Sequence, residues 1–243
     1  MTHRRGAGGG QGDGDALDRP VWSALATGWA HLARGPGPAR RLDPDYGPFA
    51  ATDGTPAGAE ALRGLAADGT ELWLVEALLP PLPSGLDITE TPVLQLVAGA
   101  AVTPPGDAGI RPLGEADAAE MRALAELTAP GPFRARTHLF GDFLGIHDAG
   151  RLVAMAGTRM RLPGHVEVSG VCTHPDARGH GHAARLSRAV AARLQAQRIV
   201  PFLHAYPGNA AALALYTALG FTVRRALRLV AINGGAQMRK SHP

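Results

Sequence analysis

Residues 171–183 read Val-Cys-Thr-His-Pro-Asp-Ala-Arg-Gly-His-Gly-His-Ala. An apolar segment typical of a strand leads into a turn with two glycines, and a helical pattern begins directly after the second one. The main-chain N–H groups of such a turn converge on one point, and the positive end of the helix dipole adds to them. The stretch therefore predicts a binding site for phosphate, and hence a phosphorylated cofactor.

The pattern after this turn is regular enough to assign the remaining elements. Asn209 is a candidate N-cap and Gly220 a candidate stop for one of the helices. The predicted elements are a helix with apolar residues at Leu186, Val190 and Leu194, a strand over residues 199–203, a helix over residues 210–219 and a strand over residues 221–232.

Two kinds of cofactor compete for the turn. Gly179, Gly181 and Ala184 fit the dinucleotide spacing G-x-G-x-x-A, which requires an acidic residue about 20 positions later. Residues 177–243 contain no Asp or Glu but ten Arg or Lys, so their formal charge is +10, whereas the residues before them sum to −7. Such a basic tract favours a ligand with several phosphate groups. The turn also lacks the P-loop spacing G-x-x-x-x-G-K-[ST].

Two motifs together resemble the GNAT superfamily of acyl-CoA-dependent N-acyltransferases. They are P-x-x-R-G-x-G at residues 175–181 and N-x-x-A-x-x-L-Y-x-x-L-G-F at residues 209–221. The resemblance extends from about Ile110 to Ile232. Within the superfamily, residues 167–173 and 202–206 resemble the branch that includes glycine N-acyltransferase-like proteins. One departure is Asp176, which stands where the family pattern often has Gln or Arg.

The resemblance implies an α/β (α+β) fold in which a mixed central sheet is flanked by helices, and it implies acetyl-CoA as cofactor. The main chain of the turn would hold the pyrophosphate, and a side chain at either glycine would block its approach. The residues expected to contact the cofactor are Val171, Cys172, Thr173, Arg178, Gly179, His180, Gly181, His182, Ala183, Asn209 and Tyr216.

The resemblance also suggests catalytic roles, each with an alternative. Tyr216 is the candidate general acid that gives a proton to the departing thiolate, or else a core aromatic residue. Glu167 is the candidate general base, because partial burial in an apolar strand would raise its pKa, or else a residue on an exposed sheet face. His204, in the next strand, is the rival base, or else a core histidine with both nitrogens satisfied. A main-chain N–H of Val171 or Cys172, where the strand bulges, would meet the oxyanion.

Metal and disulfide chemistry are not predicted. The spacing of His174, His180 and His182 fits no common zinc site. Cys172 is the only cysteine, so it cannot form an intramolecular disulfide, which suits a reducing cytoplasm. We interpret it as a small apolar residue beside the acyl group.

The chain divides into three predicted parts. Residues 1–15 are rich in glycine and are expected to be a disordered tail, without a signal peptide. Residues 16–107 are expected to form a degenerate GNAT-like half that walls the acceptor cleft, and residues 108–243 the catalytic domain, with a linker over 103–109. In the N-terminal half we expect a helix after Pro20 with a stripe to Leu32, and a long loop over residues 34–56. Further expected elements are a helix over 59–67 and strands over 72–77 and 93–97.

The expected function is transfer of an acetyl or small acyl group from CoA to a primary amine of a small molecule or peptide by direct attack. One alternative is an inactive acyl-CoA-binding sensor. Another is a nucleic-acid-binding protein, suggested by a pI near 9.6, but the aromatic residues of the basic tract lie in core or motif segments. No apolar run suits a membrane span, and a monomer or homodimer is expected. The acidic N-terminal half would suit a cationic amine, whereas Arg159 or Arg161 would suit an amino-acid carboxylate.

Overall fold

The computed structural model describes residues 13–35, 37–99, 101–106 and 109–234. Short 3-10 turns cover Ala30–Leu32, Glu115–Asp117, Thr137–Phe140 and Pro175–Ala177. The helices of the described residues are α1 (Asp13–Asp18), α2 (Pro20–Ala26), α3 (Pro56–Ala66), α4 (Ala118–Thr128), α5 (His182–Ala196) and α6 (Ala210–Ala218). The strands are β1 (Ala33–Arg34), β2 (Ala39–Leu42), β3 (Ala50–Thr52), β4 (Leu72–Glu76), β5 (Asp87–Ala98), β6 (Ile110–Leu113), β7 (Phe143–Asp148), β8 (Arg151–Leu162), β9 (His165–Thr173), β10 (Val200–Ala205) and β11 (Phe221–Asn233).

The strands form one large and one small sheet. The large sheet has the order β4-β11-β5-β10-β9-β8-β7-β6, and β1, β2 and β3 form the small one. All pairs of the large sheet are antiparallel except β9 with β10. Ala154 and Ala156 of β8 pack in the same core as α5, while Met155 between them packs with α4, so helices cover both faces. The predicted mixed sheet flanked by helices is therefore confirmed.

The parallel pair β9 and β10 stays together over only part of its length. The pairing ends where Phe202 lies opposite Glu167, although β9 continues to Thr173 and β10 to Ala205. The strands therefore separate in the middle of the sheet. Main-chain groups and side chains of both strands become available at this opening, which positions the candidate site.

The N-terminal half contributes to the large sheet. Strand β5 lies between β10 and β11 and pairs with both, while β4 pairs with the outer side of β11. The sheet thus crosses the predicted domain boundary at residue 107, and the division itself stays a prediction. Residues 107 and 108, within the predicted linker, lie outside the described residues.

The structure departs from prediction in two elements of the N-terminal half. The predicted tail lies outside the described residues up to position 12 and its last three residues stand at the start of α1, so the tail itself stays a prediction. The loop expected over residues 34–56 contains β2 and β3, because short strands between prolines and glycines leave little periodicity to recognise. The helix after Pro20 ends at Ala26, and a 3-10 turn continues its apolar stripe.

Candidate active site

The glycine turn has the backbone conformation that its sequence requires. Gly179 and Gly181 have φ values of +83° and +73°, in the left-handed region that favours glycine. A Cβ atom at either position would meet no other atom within 4 Å, so this face of the turn is open. Gly181 is the N-cap of α5 and supplies no side-chain cap, which leaves the first N–H groups of the helix directed at the opening.

A cavity of about 430 Å³ lies against this turn and brings the two motifs together. We call it the cofactor cavity. Pro130, at the end of the segment after α4, closes one side of it. The cavity is lined by Thr128, Ala129, Pro130, Val171, Cys172, Thr173, Ala177, Arg178, Gly179, Gly181, His182, Ala183, Ala184, Asn209, Ala211, Ala212, Leu215 and Tyr216.

All residues expected at the cofactor line this cavity except His180. The Nδ1 atom of His180 lies 3.3 Å from the carbonyl oxygen of Ala177, and its ring stacks on His182. Asn209 accepts a hydrogen bond from the N–H of Ala212 at 3.1 Å, so it caps α6 and lines the cavity at once. The capping role is therefore confirmed.

Asp176, the departure from the family pattern, turns away from the cavity. Its side chain is 75% exposed and lies 3.9 Å from Arg151 and 3.5 Å from the ring of His174. It is not among the residues that line the cofactor cavity. Its negative charge therefore faces solvent rather than the turn.

Strand β9 carries a bulge at the opening of the sheet. Ser169 pairs with Gly157 and Cys172 with Met155, so β9 has one extra residue between these pairs. Gly170 within the bulge has φ +63°, and a Cβ atom there would lie 2.9 Å from the ring of Phe143. Because Cys172 is back in register, the bulge frees main-chain groups at Gly170 and Val171.

Tyr216 combines the two interpretations given to it. It is 9% exposed, packs edge-on against Phe221 and belongs to the core around α5, yet it lines the cofactor cavity. Among the described residues no hydrogen-bond partner faces its hydroxyl. Burial, followed by the nearby charge of Glu167, raises the pKa of Tyr216 to about 12, so the phenol stays protonated at neutral pH.

Glu167 is fully buried and ion-paired, which contradicts the raised pKa expected for it. Burial would raise its pKa, but the charge and hydrogen bonds of Arg159, with a smaller contribution from His204, lower the pKa of Glu167 to about 2. Arg159 donates from Nε and Nη2 to the two carboxylate oxygens, both at 2.7 Å. The carboxylate is thus held ionised and engaged. It does not lie on an exposed sheet face either, since only 1% of it is accessible.

His204 is held by partners on both ring nitrogens. Its Nδ1 lies 2.8 Å from Glu167, and its Nε2 lies 3.3 Å from Nε2 of Gln95. Gln95 accepts from Arg224 through Oε1 and donates to the carbonyl of Leu17, which fixes the amide nitrogen toward the ring. Nε2 of His204 must then accept a hydrogen bond from Gln95, and Nδ1 carries the proton and donates a hydrogen bond to the carboxylate of Glu167. This geometry matches the alternative of a core histidine with both nitrogens satisfied.

A second cavity, of about 70 Å³, lies on the other side of the opening. We call it the acceptor cavity. Arg159 lines it, whereas Arg161 does not, and Tyr206 at its edge is 46% exposed. The remaining lining residues are Phe49, Trp73, Val75, Val93, Pro130, Gly131, Pro132, His204, Ala205 and Leu229.

The comparisons with known proteins agree with this geometry. The chain is similar to a protein described as a GNAT-family acetyltransferase from Novosphingobium aromaticivorans, with 47% identity, a TM-score of 0.82, and coverage of 89% of this chain and 97% of the other. This chain belongs to the GNAT family. The model of the FR47-like protein family matches residues 143–230 of this GNAT protein.

A more distant structure shares the fold. The GCN5-related N-acetyltransferase from Kribbella flavida is 22% identical with a TM-score of 0.63, over 91% of this chain and 97% of that one. A search of curated protein sequences gives no match. The finer resemblance to the glycine N-acyltransferase-like branch stays a prediction.

Several residues of this GNAT protein's site could not be recognised from the sequence. Phe49, Trp73 and Val93 come from the N-terminal half. Val93 reaches the acceptor cavity because β5 enters the sheet beside β10, whereas Trp73 reaches it through the pairing of β4 with β11, and Phe49 through its bridge to Trp73. Gln95 fixes His204 from the same strand. Their only sequence signal is an apolar or strand-like context, which does not distinguish a cavity wall from core.

The buried thiol of Cys172 is not activated. Burial raises the pKa of Cys172 to about 11, which keeps it in the thiol form. Cys172 is buried and lines the cofactor cavity, and its place beside the acyl group stays a prediction. In the described part of the chain, no group of three metal-ligating side chains forms, and no helix is long and apolar enough to cross a membrane.

Proposed function

We propose that this protein transfers an acetyl or other small acyl group from acyl-CoA to a primary amine. The observation that carries the proposal is the cofactor cavity, in which the open glycine turn at the start of α5 and the hydroxyl-bearing Tyr216 line one space at the gap between β9 and β10. Anionic phosphate is favoured at such a helix start, and a phenol that stays protonated is suited to a departing thiolate.

The residues present fit coenzyme A. The φ values of Gly179 and Gly181 and the open space in front of them allow phosphate oxygens to approach the main chain. Arg178 lines the same cavity and adds a positive charge at its rim. The basic tract is also used elsewhere, because Arg225 pairs with Asp18 and Arg228 with Glu90, so only part of its charge is left for a ligand.

The chemistry assigned to this chain's residues follows from their positions. The amine nitrogen attacks the thioester carbonyl, and the C–S bond breaks as the C–N bond is completed. The N–H group of Val171, freed by the bulge, is the candidate donor to the oxyanion. The Tyr216 hydroxyl donates a hydrogen bond to the leaving sulfur. Because the pKa of Tyr216 is about 12, this bond stabilises the thiolate at any pH near neutrality.

Glu167 and His204 receive a positioning role in place of the base role predicted for them. The Glu167 carboxylate holds the guanidinium of Arg159 with two hydrogen bonds, and the His204 ring is locked between Glu167 and Gln95. Arg159 and His204 both line the acceptor cavity. The network would keep the side chains of Arg159 and His204 in place while an acceptor binds.

The two predicted domains have distinct proposed roles. Residues 108–243 would carry the cofactor cavity, and residues 16–107 would close the acceptor cavity through Phe49, Trp73, Val75 and Val93. The alternative of an inactive sensor is not favoured, because a cavity that only binds acyl-CoA does not require a protonated phenol among its lining residues.

The test is an amine panel with acetyl-CoA, read by release of free thiol. Turnover with at least one primary amine, and its loss in Gly181→Glu, is expected. If calorimetry shows tight binding of acetyl-CoA while no amine in the panel releases thiol, the sensor alternative replaces the enzyme. Retention on DNA that acetyl-CoA does not compete with would instead favour nucleic-acid binding.

A further inference from the structure

The wall of the acceptor cavity is apolar with a single fixed cation. Phe49, Trp73, Val75, Val93 and Leu229 supply aromatic and aliphatic surface. The guanidinium of Arg159 lies over the Phe49 ring at 4.9 Å from its centroid. Such a wall removes water from a bound molecule without offering it a negative charge.

The orientation of Arg159 determines which of its atoms face the cavity. Nε and Nη2 donate hydrogen bonds to the carboxylate of Glu167, so Nη1 is the guanidinium nitrogen that does not face this carboxylate. A Cβ atom on Gly131, another lining residue, would lie 3.8 Å from Nη1, so this atom is directed toward the Pro130-Gly131-Pro132 segment at the cavity wall. Glu167 itself does not line the cavity and stays behind the guanidinium.

The carboxylate of Glu167 pairs with this cation from behind, outside the cavity lining, and no other lining side chain adds a negative charge at the cavity surface. His204 of β10 faces the cavity with both ring nitrogens engaged by Glu167 and Gln95. Tyr206, directly after β10, contributes a phenol at the mouth. The residues from β4, β5 and β11 that line the cavity are Trp73, Val75, Val93 and Leu229, and the segment before β3 adds Phe49; none of these is ionisable.

An ammonium group is therefore unfavourable in this cavity for two physical reasons. Transfer from water to an apolar wall penalises the charged form, and the guanidinium of Arg159, which lies nearer to the cavity than its partner Glu167, adds a smaller penalty. Both effects lower the pKa of an amine that enters. An uncharged amine suffers neither penalty and keeps its lone pair for attack.

We propose that the acceptor cavity selects weakly basic primary amines with an apolar substituent, such as α-amino groups and aromatic amines, and discriminates against strongly basic alkylamines. This inference rests on the proposed acyl transfer. The amine enters uncharged, its nitrogen forms the C–N bond, and one N–H proton leaves to water as the C–S bond breaks. The thiolate takes up a proton, so charge and atoms balance without an added reactant.

The expected discrimination follows from the fraction of free amine. At pH 7, an α-amino group with a reference pKa of about 8 is roughly 10% uncharged, whereas a lysine-like amine with a pKa of about 10.4 is roughly 0.04% uncharged. The ratio is roughly 250 before any difference in contacts. A cavity that accepted the ammonium form and deprotonated it after binding would not show this ratio.

A matched pair of amines tests the inference. Leucinamide and 3-methylbutylamine carry the same branched chain, and the carboxamide makes the first amine much less basic. The measurement is kcat/KM from pH 6 to 10, by thiol release from acetyl-CoA. We expect the acid limb of each profile to follow the pKa of that amine, with leucinamide favoured at pH 7 by at least about 100-fold.

The outcomes separate this inference from the proposed function. If both profiles share one acid limb, an enzyme group deprotonates the bound ammonium, and the selection by basicity is wrong while the acyl transfer stands. Equal kcat/KM at pH 7 leads to the same conclusion. Thiol release with neither these amines nor a broad panel, despite bound acetyl-CoA, would overturn both.

A variant tests the contribution of the cation. In the double variant Arg159→Gln/Glu167→Gln, an amide pair replaces the ion pair, so no buried charge is left without a partner. The preference for leucinamide at pH 7 is expected to shrink by at least about threefold if the guanidinium contributes. A folded double variant, as judged by circular dichroism, with an unchanged preference would overturn the assignment to Arg159.

Discussion

The cofactor cavity and the acceptor cavity are built on different principles. The cofactor cavity is formed by three short stretches of chain: the end of α4 and the two residues after it, the segment from the end of β9 to the start of α5, and the face of α6. Its central element is main chain shaped by Gly179 and Gly181. The acceptor cavity is formed by side chains from elements that are far apart in the sequence, such as Phe49 before β3 and His204 in β10. Main-chain sites leave a compact motif in the sequence, whereas side-chain sites depend on contacts that only the fold creates.

The largest effect is expected for a substitution in the glycine turn of the cofactor cavity. Gly181→Glu places bulk and negative charge at the open face of the turn and requires a non-glycine residue at φ +73°. We expect acetyl-CoA binding to be lost in calorimetry. Gly164→Glu is the matched control, because Gly164 has φ +70° and open space but lies in the hairpin turn between β8 and β9. Equal loss of binding in the control would attribute the effect to folding rather than to the site.

The next effect concerns the side-chain network. Glu167→Gln leaves the Arg159 guanidinium without its charged partner, and loss of one member of a buried pair costs about 3 kcal/mol of unfolding free energy. Denaturant unfolding at pH 7 measures it. Glu126→Gln, at the exposed pair with Arg122, should change stability little. A similar loss in both variants would contradict the importance of the buried pair.

The same variant changes the pH dependence. The folded-state pKa of Glu167, about 2, lies below its ordinary value near 4.5, so its stabilisation is complete above that ordinary value and is lost as the pH falls toward 2. Between pH 5 and pH 3 the parent protein should therefore lose stability more steeply than Glu167→Gln. Parallel curves for the two proteins would show that the carboxylate is not the group concerned.

Tyr216→Phe tests the role of the phenol hydroxyl in the cofactor cavity. Without the hydroxyl, the leaving thiolate loses a hydrogen-bond donor, and kcat should fall roughly 100-fold. The dissociation constant of acetyl-CoA should stay within about twofold, because the ring and its contact with Phe221 remain. Unchanged kcat would remove Tyr216 from the mechanism and leave it a core residue.

The smallest expected effect belongs to Asn209. Asn209→Ala removes the cap of α6 and should cost about 1 kcal/mol of stability. Asn209→Ser keeps a capping oxygen and should restore most of it. If acetyl-CoA affinity falls in both variants, the amide also contacts the cofactor; affinity that follows stability alone limits Asn209 to capping.

The sequence was sufficient for the cofactor side because its information is local. Gly179 and Gly181 had to adopt positive φ, Asn209 had to cap a helix, and both follow from residue type and spacing. Residues 182–233 also have clear apolar periodicity, so their strands and helices lie close to the predicted bounds. Acetyl-CoA as the cofactor is implied by the resemblance of these motifs to a family and stays a prediction.

The acceptor side could not be predicted, because its determining contacts are between strands. The pKa of Glu167 was expected to rise with burial, but Arg159 on the adjacent strand reverses the shift, and nothing in either residue's neighbours along the chain reveals this pairing. The strands over residues 39–42 and 50–52 have no recognisable sequence signal, because they are short and bounded by turn residues. The central place of β5 depends on pairing with β10 and β11, far away in sequence.

That central strand has a consequence for biosynthesis. During translation, β5 leaves the ribosome well before β10 and β11, yet it must wait for both before its two edges are covered. A fragment starting at residue 108 would lack this strand altogether and expose the hydrogen-bonding edges of β10 and β11 to other chains. Expression of residues 108–243 alone is therefore a route to aggregates rather than to a minimal folded unit.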